Sequence, residues 1–162
     1  MKKYYVAAAL LSLSIVVGFA FSEQNRVDPP SSEKTAASAP ESKKMTIYRD
    51  PNCGCCDAYA DYLDENGYQV TRVDDRNFGN HSISAGVPEQ GLGCHLAEID
   101  GYIVSGLVPV EIIERLMNER PQITGITLPG MPGNAPGMSP EKTGTLKIYA
   151  FSEDGVSVYS NE

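Results

Sequence analysis

Three of the four cysteines in this 162-residue chain fall within four positions, Cys53-Gly54-Cys55-Cys56, and the fourth, Cys94, is followed directly by His95. That distribution limits how the thiols can be used. Only Cys94 is distant, so at most one disulfide can join remote segments. A second would have to close inside the cluster, where it ties off almost no loop in the unfolded chain and stabilises little. Two structural disulfides are the ordinary use of an even cysteine count in an exported chain. Here the spacing makes them the weaker reading, and a shared site for the four sulfurs the stronger one.

The neighbouring residues place the cluster. Met45-Thr46-Ile47-Tyr48-Arg49 alternates as a strand and Asp50 to Gly54 forms a turn. Cys55 to about Asn66 reads as a helix, with Cys56, Tyr59, Ala60 and Leu63 on one face and Asp57, Asp61, Asp64 and Glu65 on the other. Cys53 and Cys56 thus make a Cys-x-x-Cys pair at a helix start, where unpaired N–H groups and the helix dipole favour thiolate over thiol. A thiolate in that position serves as a redox nucleophile or as a metal ligand. Cys55 favours the ligand, because a dithiol exchanger needs two sulfurs and a third invites mispairing. Clustered soft donors suit Cu(I) best; a cysteine-rich zinc site is the alternative.

The rest of the chain supplies a frame. Gly67 stops the first helix, and Tyr68 to Val73 alternates as a second strand. A short helix is expected before Val87-Pro88. Cys94 to Ile99 and Tyr102 to Ser105 form a hairpin about Asp100-Gly101. Pro109 opens the next helix, whose buried stripe is Ile112, Ile113, Leu116 and Met117, and Pro121 ends it. Gln122 to Lys142 is expected to be a loop without a regular element, because prolines and glycines punctuate it. A loop so long in a compact domain is commonly functional. A last hairpin joins Thr145–Phe151 to Val156–Tyr159. The order β-α-β-(α)-β-β-α-β-β predicts an α/β fold, a thioredoxin-like mixed sheet flanked by helices with an extra C-terminal loop and hairpin. In that layout the start of the third strand faces the Cys-x-x-Cys turn, so Cys94 and His95 arrive opposite the first three sulfurs. Met131 and Met138, thioethers in the long loop, join the candidate ligands. His81, in a polar stretch, reads as a surface loop residue.

Ahead of this domain, Lys2 and Lys3 precede a charge-free run, Tyr4 to Phe21. Gly18-Phe19-Ala20 and Ala20-Phe21-Ser22 offer small residues for signal cleavage. Residues 1–22 therefore read as a secretory signal peptide. An uncleaved anchor is the rival, since about 18 apolar residues just span a bilayer. Residues 23–44, rich in Ser, Pro, Glu and Lys, read as a flexible linker, and 45–162 as the metal-binding domain. That domain carries 7 Lys and Arg against 17 Asp and Glu, a formal charge of −10, which argues against nucleic acid as a partner. No membrane association is expected once the signal is cleaved.

Taken together, Cys53-Gly54-Cys55-Cys56, Cys94-His95, Asp100-Gly101-Tyr102, Val108-Pro109, Pro129-Gly130-Met131-Pro132 and Pro136-Gly137-Met138 carry a resemblance. Over about Met45 to Tyr159 the chain resembles the small exported metal-binding family typified by the bacterial copper-resistance protein CopG. The resemblance implies a thioredoxin-like fold in the periplasm and a cysteine-bridged cluster of copper ions. It also implies association with other periplasmic copper-resistance proteins, and copper redox chemistry. Two departures stand out. Where the family reads Glu-Gly-His-Val-Pro, this chain reads Ser105-Gly106-Leu107-Val108-Pro109, so one nitrogen donor is missing. Tyr59 stands where the family tends to carry tryptophan, a change of packing. The expectation is a periplasmic Cu(I)-binding protein whose metal-site residues are Cys53, Cys55, Cys56, Cys94, His95, Met131 and Met138. A thiol–disulfide oxidoreductase or copper redox enzyme using Cys53 and Cys56 is the alternative, and a zinc-stapled binding module a third.

Overall fold

The computed structural model describes residues 43–140 and 143–162. The expected signal segment, 1–22, and residues 23–42 of the expected linker lie outside the described residues. The first strand, β1 (Lys44–Arg49), alternates as its sequence dictates: Met45 and Ile47 are buried, while Thr46 and Tyr48 face the other side. After the cysteine turn, α1 (Gly54–Glu65) buries Cys56, Tyr59, Ala60 and Leu63 at helical spacing. It ends in a left-handed glycine cap. Gly67, at φ +84°, donates to Asp64 O, and Tyr68 N donates to Leu63 O, both at 3.0 Å.

Next come β2 (Gln69–Asp74), α2 (Phe78–Ser84), a 3-10 turn (Glu89–Gly91), β3 (His95–Ile99) and β4 (Tyr102–Ser105). Asp100 and Gly101 both take positive φ in the β3–β4 turn, the conformation a two-residue Asp-Gly hairpin requires. His81 lies on α2 rather than in a loop, with Nδ1 3.2 Å from Asp75 Oδ2. Helix α3 (Val110–Glu119) follows Pro109 and ends at Arg120, which adopts a left-handed conformation before Pro121. Its buried face is Ile112, Ile113 and Leu116; Met117 is only partly covered.

The expectation for Gln122–Lys142 needs correcting. A three-residue strand, β5 (Gly125–Thr127), lies within it, and β6 (Lys147–Ser152) and β7 (Gly155–Asn161) follow. The sheet has seven strands in the order β2-β1-β3-β4-β5-β6-β7, with β1/β2 and β4/β5 parallel and the other pairs antiparallel. β5 sits inside the sheet, and all three of its residues are buried. Two non-local neighbours hold it, not its own sequence. Gly125 permits the approach: a Cβ there would lie 2.0 Å from Ile103 O.

The architecture is a mixed, thioredoxin-like α/β fold. Tyr59, Ala60 and Leu63 of α1 and Ile112, Ile113 and Leu116 of α3 form the main core with Met45, Ile47, Ala97, Ile99, Val104, Ile126 and Ile148 from the sheet. A smaller cluster of Val87, Leu96 and Phe151, with Tyr48 against it, lies on the opposite face beside α2. No helix of the described residues is long and apolar enough to cross a membrane.

Candidate metal centre

The register of the sheet brings the fourth cysteine to the other three. β1 pairs β3 antiparallel with Arg49 opposite His95. One step further along both strands, Cys94 meets the turn that begins at Asp50. That turn is built locally. Asn52 N donates to Asp50 Oδ1 at 2.8 Å and Cys53 N to Asp50 O at 2.9 Å. Cys53 then stands at the cap of α1 and its carbonyl accepts from Cys56 N and Asp57 N. Arg49 anchors the turn from β1. It donates to Asp50 O at 3.2 Å and to Asp74 Oδ1 at 2.8 Å, and its Nε lies 2.9 Å from Asp57 Oδ1 as an ion pair too bent to be a hydrogen bond.

All four sulfurs lie within 4.8 Å of one another. Cys53 and Cys56 are joined as a disulfide, while Cys55 and Cys94 are free thiols. Cys56 is fully buried and the other three are half-buried. Cys55 Sγ lies 3.5 Å from Cys53 Sγ, and its thiol also reaches the Met131 thioether at 3.8 Å. The Cys94 carbonyl lies 3.3 Å from Cys56 Sγ and 3.9 Å from Cys53 Sγ. It would accept from those thiols once the disulfide is reduced. Burial, with the Cys55 sulfur adding to it, pushes the Cys94 thiol up to about 12. It therefore keeps its proton at neutral pH until something displaces it.

His95 adjoins the cluster but packs behind it. Its ring is fully buried, lies 4.9 Å from the Tyr59 ring, and has Nδ1 3.4 Å from Cys94 Sγ. Nε2 has no hydrogen-bond partner. Burial lowers its pKa to about 3, so the imidazole is neutral across the physiological range. Leu107, where a histidine is expected from the resemblance, is fully buried in the main core. Met138 lines a cleft against α1 with Ala58, Asp61, Tyr62 and Glu65, and no cysteine lines that cleft. A groove of about 730 Å³ between Lys44, Thr46, Gln69, Thr71, Glu98 and Ile103 includes no residue of the sulfur cluster.

Several positioning residues are not evident from motif spacing. Ser105 holds both flanks of Cys94: Gly93 N donates to its Oγ at 3.1 Å, and that hydroxyl donates to His95 O at 3.5 Å. Gly93 lies against Gly106, and Gly137 lies against the first turn of α1, where a Cβ would fall 2.7 Å from Cys55 O. Tyr59 does more than fill space, since its hydroxyl donates to Val108 O at 2.7 Å. The only sequence signal for the glycines is their recurrence, in Gly91-Leu92-Gly93 and again among the prolines of the long loop.

As a donor set, four sulfurs with no carboxylate among them fit a soft cation. Two of the four become available only when the Cys53–Cys56 bond is reduced.

No curated protein matches the chain. The family described as "Protein of unknown function, DUF411" matches residues 92–138, which include Cys94, His95 and both loop methionines. Two solved structures are similar over most of the chain. "Copper resistance protein copG- Form 2" is 32% identical, with a TM-score of 0.67, covering 74% of this chain and 97% of its own. "Copper resistance protein copG- Form 1" is 33% identical, with a TM-score of 0.66, covering 74% and 96%. The identity, the near-complete coverage of those chains and the shared fold agree: this chain belongs to the family of the copper resistance protein CopG.

Proposed function

We propose that this protein is a periplasmic copper-binding protein that holds Cu(I) on the sulfurs of Cys53, Cys55, Cys56 and Cys94 and serves copper resistance or handling. The observation that carries the reading is the convergence of four cysteine sulfurs within 4.8 Å, in a chain similar to copper resistance proteins. Thiolate is the preferred ligand of Cu(I), and bridging thiolates let a compact sulfur set hold more than one ion. Binding at Cys94 releases its proton, because only the thiolate is a ligand. The protein's part is to pre-position the donors: α1 and its cap residue present three, the residue just before β3 is the fourth, and His95 and Tyr59 form a dry wall behind them.

The test is elemental analysis with free-thiol counting on anaerobically prepared protein. Reduced protein is expected to show four thiols and retain copper, and the Cys53–Cys56 disulfide form to retain less. Four thiols still free after exposure to Cu(I), with no copper retained, would overturn the reading. Zinc retained after native purification, with folding lost on chelation, would make it a zinc site. Cell fractionation tests the location, with the protein expected in the periplasmic fraction.

One observation favours a second reading, a thiol–disulfide oxidoreductase or copper redox enzyme. The Cys53–Cys56 pair is oxidised at the start of a helix, with Cys53 half-buried and Cys56 fully buried. Turnover of a dithiol substrate by metal-free protein would support it, and inertness towards thiol exchange would exclude it.

A further inference from the structure

We infer that Met131 is the port through which Cu(I) enters and leaves the cysteine cluster, an inference that rests on the copper-binding reading above. Met131 is 55% exposed, yet its thioether lies 3.8 Å from Cys55 Sγ. Cys55 is in turn 3.5 Å from Cys53 Sγ and adjoins Cys94. The sulfurs thus form a graded series, from solvent at Met131, through half-buried Cys55, to fully buried Cys56.

The position of Met131 is held by the backbone. Gly130 N donates to Leu92 O at 2.9 Å, and Gly130 pairs with Gly93 next to Cys94. Further along, Ala135 N donates to Pro132 O, Ala135 is fully buried, and Gly137 rests on the first turn of α1. The segment carrying Met131 is therefore pinned to both sides of the sulfur site. Met138, 44% exposed, belongs to the same loop but sits over the middle of α1, which makes it the internal control.

The chemistry suits an exchange ligand. A thioether is neutral and always ready to bind, whereas a thiol must first lose a proton. Cu(I) taken up on Met131 passes inward by ligand exchange. The bond to Cys55 Sγ forms as the bond to Met131 Sδ breaks, the Cys55 proton goes to water, and copper stays Cu(I) throughout. Adding one sulfur before releasing another avoids a bare ion at any point.

The test compares reduced full-length wild-type protein with Met131→Leu, Met131→His and Met138→Leu. Copper per chain is measured at equilibrium, and Cu(I) transfer to a bidentate aromatic Cu(I) chelator is followed by stopped-flow absorbance. Met131→Leu is expected to keep its copper but exchange it about tenfold more slowly, about 1.4 kcal/mol in barrier. Met131→His, which restores a donor, is expected to recover most of the rate, and Met138→Leu to match wild type. Circular dichroism of the metal-free proteins checks the fold. Exchange by Met131→Leu within about twofold of wild type (about 0.4 kcal/mol in barrier) would overturn the inference. So would equal slowing by Met138→Leu, or no recovery in Met131→His. Failure of the copper-binding reading is separate, because it shows as no copper retained by reduced wild type.

Discussion

Replacing Gly93 by alanine sets two effects against each other, and the structure decides which prevails. Gly93 does not have a positive φ, so alanine suits its backbone. By the unfolded-state argument alone, Gly93→Ala would stabilise the fold by about 0.4–1 kcal/mol. Sterics oppose this. The new Cβ would stand 2.3 Å from Gly106 Cα and 2.4 Å from Gly106 N. Carbon atoms rest about 3.5–4.0 Å apart, so the two segments must separate by more than about 1 Å. Neither can yield as a flexible side chain would. Gly93 N is tied to Ser105 Oγ, and Gly106 N donates to His95 O. Overpacking of this kind costs about 1–3 kcal/mol, occasionally more. With both segments pinned, the upper end applies, leaving a net loss of about 2 kcal/mol. For a folded unit of this size that lowers Tm by about 8 °C. Thermal unfolding of the metal-free protein measures it, with Gly133→Ala as the control, because a Cβ at Gly133 meets nothing within 4 Å. Cys94 moves with Gly93, so copper per chain is expected to fall as well. A Gly93→Ala protein melting at or above the wild-type temperature would refute the argument that backbone contact, and not chain entropy, governs this corner.

Other outcomes follow from the same neighbourhood. Tyr59→Phe removes the hydroxyl that donates to Val108 O at 2.7 Å and leaves that carbonyl without its partner; urea unfolding is expected to show a loss of about 1–3 kcal/mol, and an unchanged midpoint would refute it. His95 makes stability depend on pH. Its folded pKa of about 3 lies below the unfolded value of about 6.5, so the unfolded state binds the extra proton between those values. The contribution is complete above about pH 6.5 and is lost at about 1.4 kcal/mol per pH unit as the pH falls towards about 3. Subtracting the metal-free His95→Phe stability curve from that of wild type isolates this slope, and parallel curves would exclude it.

What was legible in the sequence is what depends on residues close together in the chain. The spacing of Cys56, Tyr59, Ala60 and Leu63 marks a helix face, the alternation in Met45 to Arg49 marks a strand, and Asp100-Gly101 marks a hairpin turn. Each of these rests on local backbone geometry, and each appears in the structure. The same local rules place Cys53, Cys55 and Cys56 together at a helix start. Tertiary structure decided the rest, because it depends on contacts between distant residues. β5 is three residues long and exists because β4 and β6 lie on either side of it, so no periodicity of its own could reveal it. The loop methionines carry the same chemistry in sequence. Only the pairing of Gly130 with Gly93 and the seating of Gly137 on α1 set Met131 at the Cys55 sulfur and Met138 in the cleft beside Ala58, Asp61 and Tyr62. The cysteine cluster divides in the same way. Three of its sulfurs follow from one helical turn, and the fourth arrives through the register of β1 against β3.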